Sequence, residues 1–229
     1  MKRSLALVSV LGTLALVGMA YAVATAILGA TPWQYLSLVV QKGRTTVPEV
    51  YEPWTWADFL ALPTLPRAYR ATDWATVQGY TARAIRLEGY IAEAYRWRDG
   101  DVHVHLRAAP SAHCFPGGPR QAQIVTEVTP AFQPPRTGWS ATVLRELCEQ
   151  QVRVRLSGWL LHDFVHAEPA SAWRVSAWEI HPVTAIELWD AARQAWQPVH
   201  PENPKAFAFL TFSSHVLILE QCAFTPSLQ

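Results

Sequence analysis

A chain of 229 residues with a formal net charge of +1 carries no bulk field to gather nucleic acid or acidic lipid. It is 50% hydrophobic and 16% charged, against roughly 25% charged residues in an ordinary soluble domain. Its 11 glycines and 17 prolines exclude a collagen-like chain and do not point to wholesale disorder, and the length suits one domain plus an anchor or tail.

Lys2 and Arg3 open the chain, and no further charge follows until Lys42. Residues 5–28 are apolar apart from Ser9, Thr13 and Thr25, and a spanning helix needs about 20 such residues. Residues 1–30 are therefore expected to form a transmembrane anchor or a signal helix, meeting the membrane through residues 4–29. Ala20-Tyr21-Ala22 has the small-x-small form of a cleavage site. Cleavage would leave an apolar new terminus at Val23, so an uncleaved anchor is preferred. Either way, the short positive start places the rest of the chain in the cell envelope, anchored on the extracytoplasmic side or released to the periplasm.

Residues 31–76 read as a connector. Trp33 and Tyr35 suit a membrane interface, Pro48, Pro53, Pro63 and Pro66 limit regular structure, and one short helix is expected within residues 54–62. From Tyr80 the periodicity becomes two: Ile85, Leu87 and Ile91 share one face, Arg86, Glu88 and Tyr90 the other. Gly89 suits a bulge. Arg98-Asp99-Gly100-Asp101 is a hairpin turn, followed by a strand in which Val102, Val104 and Leu106 alternate with His103 and His105. A Pro- and Gly-rich loop spans residues 109–119, and a third strand residues 121–129. Ser140 caps a helix reaching Gln151. A fourth strand carries Val152, Val154 and Leu156, and a fifth runs from Trp173 to about Leu188. Strand, strand, strand, helix, strand, strand is the layout of an OB-like five-stranded Greek-key barrel, over residues 77–190, in an all-β dominated chain. A β-sandwich is the alternative. Residues 191–229 read as a linker and an apolar C-terminal segment, most apolar over 206–224.

Three cysteines leave at least one unpaired. Cys114 and Cys148 would form a disulfide in an exported domain; three buried thiols are the other reading. Without a Cys-x-x-Cys, a structural zinc site is not expected.

Three clusters carry chemistry. Asp101, His103 and His105 share one strand face, the outer one if the valines fill the barrel. Asp163 and His166 follow the fourth strand. Glu179 and His181 share a face of the fifth. Trp159 offers a stacking surface beside them. Carboxylates and imidazoles converging at one hairpin suit a ligand or a divalent metal held by His166, Glu179 and His181. The bland reading is that Asp163 caps its loop while Glu179 and His181 hold the barrel seam. There is no His-Glu-x-x-His, Gly-x-Ser-x-Gly or phosphate loop.

Asp101-x-His103, Glu127-x-Thr129-Pro130, Gly158-Trp159-Leu160-Leu161-x-Asp163-x-x-His166 and Glu179-Ile180-His181-Pro182-Val183 together resemble a family of uncharacterised bacterial exported OB-fold-like proteins. The resemblance covers roughly residues 80–188. It implies an exported OB-like domain and no activity; Trp159, Trp178 and the apolar tail depart from the pattern. The expected function is an exported, membrane-anchored binding or structural module for a small ligand, oligosaccharide or protein, with nucleic acid disfavoured by charge. The alternative is a metal-dependent hydrolase with Asp163, His166, Glu179 and His181 about one ion and His103 near it.

Overall fold

In the computed structural model the described residues are 29–110, 114, 123–133, 139–167 and 174–199, with isolated positions between 18 and 25. In chain order they form α1 (Pro32–Lys42), β1 (Glu52–Trp54), α2 (Trp56–Leu60), α3 (Ala71–Thr81), β2 (Ala84–Arg96), β3 (Val102–Arg107), β4 (Ile124–Val128), α4 (Ala141–Glu149), β5 (Arg153–His162), β6 (Trp178–Asp190) and β7 (Ala195–Pro198). The anchor expected over residues 1–30, most of the 109–119 loop and the apolar segment at 206–224 lie outside the described residues. Among the described residues, no helix is long and apolar enough to cross a membrane.

The long strand β2 organises the sheet because it pairs on both sides. Ala84 to Tyr90 pair antiparallel with β5, and Tyr90 to Arg96 pair antiparallel with β3. Gly89 sits just before the changeover: a Cβ there would meet the Arg107 carbonyl oxygen at 2.6 Å. A register shift between Ile91 and Glu93 adds the bend. From β3 the sheet passes to β4, from β4 to β6 by a parallel pairing, and from β6 back to β5. The five strands therefore close into a mixed barrel, which rules out the sandwich. β1 adds to β2 in parallel, and β7 adds to β6. One helix, α4, lies between the third and fourth barrel strands; the Ser140 side chain caps it by accepting from the Val143 N–H at 3.3 Å.

Alternation fills the barrel as the sequence predicts. Ile85, Leu87, Val102, Val104, Leu106, Val154 and Leu156 are buried inside, and Leu144 and Leu147 of α4 join the same core. The 97–100 turn is in place, with Gly100 at φ +98. Cys114 and Cys148 are joined by a disulfide across 34 residues of sequence. Trp178 is core: its ring is buried and its Nε1–H donates to the Pro63 carbonyl at 2.8 Å.

Three boundaries differ from expectation. The connector at 31–76 holds α1 and α3. Under α3 the buried residues are Asp73, Val77 and Thr81, a stripe with one apolar member, so no apolar period marks it. β5 continues through Gly158 to His162, and β6 starts at Trp178 rather than Trp173. The expected linker after 190 begins with a further strand, β7.

Gly158 lies in the seam where β5 meets the His181-Pro182 segment, and a Cβ there would run into the Pro182 carbonyl and come within 2.8 Å of Ile180 Cγ2. Gly158→Ala should therefore cost about 3 kcal/mol through overpacking. Gly79→Ala, in the exposed face of α3 with open space around it, should stabilise by up to about 1 kcal/mol. Urea denaturation midpoints of the two variants would move in opposite directions.

Candidate functional site: a buried ion cluster on the barrel wall

All five residues of β4, and Trp178 to Thr184 of β6, are buried. Ile124, Val128, Trp178 and Ile180 point into the barrel core, so the outward side chains of these strands, Glu127, Glu179 and His181, are charged and covered at once. The cover comes partly from α1. Its inner side presents Gln34, Leu38 and, at its last residue, Lys42. Thr31 starts this helix with a capping box, its side chain accepting from the Gln34 N–H while Gln34 Oε1 accepts from the Thr31 N–H.

Lys42 Nζ lies 3.3 Å from Asp163 Oδ2, 3.7 Å from Glu127 Oε2 and 3.8 Å from Glu179 Oε1. These carboxylates come from the end of β5, from β4 and from β6, so one ammonium ties three pieces of the barrel to α1. Arg174 Nη1 holds the other Glu179 oxygen at 2.9 Å, and its Nη2 donates to the Asp163 carbonyl at 3.3 Å. His166 Nδ1 sits 2.9 Å from Asp163 Oδ2. His181 is fully buried: Nδ1 is 2.7 Å from Glu127 Oε2 and 3.5 Å from Glu179 Oε1, while Nε2 faces the Lys42 carbonyl at 3.3 Å and Asp101 Oδ2 at 4.0 Å.

Burial and charge pull these groups in opposite directions. For His181, burial disfavours the proton, but Glu127 and Glu179 prevail and lift the imidazole to about 9. For Glu127, burial favours the neutral acid, yet His181 and Lys42 hold it down at about 2. Asp163 is likewise pulled well below the usual carboxylate range by His166 and Lys42, against its burial. Lys42 is carried above the ordinary lysine range by Glu179, Glu127 and Asp163 despite desolvation. Asp101, with weaker compensation, is pushed by burial up to about 6. Lys42, Glu127, Asp163 and His181 thus keep each other ionised inside a low-dielectric wall.

Two flanking arrangements share this face. His103 stands opposite Glu127 in the ladder, with Nδ1 3.3 Å from Glu127 Oε1, and stacks on Tyr95 at 5.2 Å between centroids; burial lowers its basicity. Trp97, beside them, is 52% exposed. Further along, His105 Nδ1 meets Glu93 Oε1 at 2.7 Å and Gln123 Oε1 at 3.0 Å, with all three buried. At the end of β5, His162 Nδ1 and the Tyr69 hydroxyl are 2.5 Å apart, and burial drives His162 down to about 4.

Of the residues expected from sequence, Asp163, Glu179 and His181 meet around Lys42, with His166 behind Asp163 and His103 behind Glu127. His105 belongs to the separate Glu93 pair. Trp159 turns elsewhere: its Nε1–H donates to the Thr46 carbonyl at 2.9 Å and Arg44 lies over its ring. The expected metal set of His166, Glu179 and His181 does not converge as such. His166 is spent on Asp163 and Glu179 is shared by Arg174 and Lys42. Among the described residues, the donor atoms that gather within 4.8 Å of one another are those of Asp101, Glu127 and His181. A metal there would have to expel the His181 proton and compete with Lys42, so the cluster already holds the positive charge an ion would bring. Lys42 and Arg174 escaped sequence reasoning. The available signal was that Lys42 is the first charge after Arg3, placed where a helix ends.

The chain matches no family model, no curated protein and no solved structure.

His181 titrates near 6.5 when unfolded and at about 9 when folded. Its contribution is thus complete below pH 6.5 and is lost as pH rises through 9. Glu127 works the other way: its contribution is present above its ordinary 4.5 and is lost as pH falls towards 2. Urea titrations at pH 6, 7.5 and 9 should show stability falling by on the order of 3 kcal/mol across the alkaline interval. His181→Gln should lower stability at pH 6 and remove most of that slope.

Proposed function

We propose that this chain is an envelope-anchored, OB-like binding or structural module rather than an enzyme, and that its buried ion cluster fastens the membrane-proximal helix to the barrel. The observation that carries this reading is Lys42 Nζ, at the end of α1, within 4 Å of carboxylates from β4, β5 and β6. The ring order β2-β3-β4-β6-β5, closing on β2, with α4 between the third and fourth strands, supports the OB assignment. The charge-free run at residues 5–28, directly ahead of α1, supports anchoring with the barrel outside the cytoplasm. A disulfide supports the same compartment. The partner side of the module is the shelf formed by Tyr95, Trp97 and His103, on the barrel face where OB-folds take ligands. Aromatic faces there suit an oligosaccharide or a protein side chain. A catalytic reading asks the cluster to release or accept protons near neutrality; His181 and Glu127 are held in their charged forms, which leaves Asp101, pushed up to about 6, as the group such a reading would rest on.

Lys42→Met leaves three buried carboxylates without their shared ammonium. The cost should be about 3 kcal/mol, the low end for breaking a buried pair, because the lysine side chain is 31% exposed. Hydrogen exchange should show the amides of α1 losing protection while those of β2–β6 keep it, with Lys42→Arg restoring most of it. Unchanged protection of α1 in Lys42→Met would refute the fastening role.

The metal-dependent hydrolase keeps one specific support, the Asp101–Glu127–His181 donor set. Elemental analysis of the full chain, equilibrated with zinc and manganese and then desalted, should find no stoichiometric ion. An ion retained by the native protein and lost in Asp101→Asn would replace the binding reading with the hydrolase.

A further inference from the structure

α1 carries apolar side chains on both of its sides. The side turned to the barrel packs Leu38 with Leu161 and Phe164, and Tyr35 on Phe164, beside Gln34 and Lys42. The side turned outward carries Trp33 (65% exposed), Leu36 (53%), Val39 (66%) and Val40 (65%). The connector that follows adds Val47 and Val50, both exposed. Scattered exposed apolar side chains need no explanation, but a patch of this kind, along one face of one helix, marks an interaction surface.

The chain before α1 says what covers it. The apolar run ends at Leu28 and the α1 cap is Thr31, a gap that spans at most about 10 Å of extended chain. Gly29 makes the turn: at φ +66 its N–H donates to the Thr25 carbonyl at 2.9 Å, the pattern that ends a helix and redirects the chain. A run seated in the bilayer therefore delivers α1 to the headgroup region, where a tryptophan is favoured. We infer that the outer face of α1, continued by Val47 and Val50, lies in the interfacial layer of the membrane, so that the helix is held between lipid on one side and the barrel's ion cluster on the other. This rests on the anchored reading proposed above. It adds that α1 is an interfacial helix.

The test uses the full chain with Cys222→Ser, reconstituted into vesicles of phosphatidylcholine and phosphatidylglycerol. Nitroxide labels are placed singly through Leu36→Cys, Val40→Cys and Ala192→Cys, the last in the β6–β7 turn at the far end of β6 from Glu179. Collision with oxygen, which concentrates in lipid, is compared with collision with a water-soluble nickel chelate. The oxygen-to-nickel ratio should be several-fold higher at 36 and 40 than at 192. Ratios at 36 and 40 equal to that at 192, in protein that floats with the vesicles, would overturn the inference and leave the anchored reading standing. Labels at 36 and 40 that are immobile and reached by neither reagent would also overturn it, assigning the face to a second copy or to residues 206–224. Protein that does not float with the vesicles would overturn both.

Discussion

The structure depends on one ammonium group placed among three buried carboxylates. Glu127, Asp163 and Glu179 stand on three different segments of the barrel, and Lys42 lies within 4 Å of each. Desolvating that many charges is expensive, and it is tolerable only when every member has a partner. Arg174, His166 and His181 complete the pairing. α1 therefore meets the barrel through two kinds of contact: Leu38 and Tyr35 pack with Leu161 and Phe164, while Lys42 among fixed carboxylates sets one position along the helix.

The barrel's route was largely legible because period-two alternation is a local property. Val102, Val104 and Leu106 against His103 and His105 establish which side of β3 faces inward before any partner strand is known. The Asp99-Gly100 turn and the Ser140 cap are equally local signals. The ion cluster was legible only in its strand-borne half. Asp163, Glu179 and His181 reveal by type and spacing that they share a region, but the lysine and the arginine that neutralise them come from a helix and a loop distant in sequence. Alternation says that Glu127 points out of the barrel; it does not say whether water or another segment lies there. The helix α1 was missed although its signals are regular, Thr31 before Pro32 and Trp33, Leu36 and Val40 at helical spacing; Trp33 and Tyr35 beside an apolar run suit a membrane interface equally well. Trp178, left without a role by sequence, is core, and Trp159 serves the connector through Thr46 and Arg44.

The electrostatic character of the site separates two kinds of buried histidine. His162 and His103 are driven towards the neutral form by burial, and each is set against an aromatic partner, Tyr69 or Tyr95. His181, fully enclosed, is driven to the charged form because two carboxylates reach one of its nitrogens. Burial alone therefore does not decide the state of an imidazole, and neither does one nearby acid: His103 has Glu127 at 3.3 Å and is still driven neutral, whereas His181 has two carboxylates on one nitrogen. That is the physical basis for the fastening role proposed for this wall.

The Cys114–Cys148 bond links the segment just ahead of β4 to α4, so the intervening chain, which includes β4 and Glu127, is closed into a ring. β4 is only five residues long, yet it supplies the parallel seam and the carboxylate nearest His181. In a reducing compartment that ring is open, and the short strand must find its register unaided. Closing that ring narrows the unfolded ensemble from which β4 must find its register, so a bond that takes no part in the ion cluster still favours its assembly.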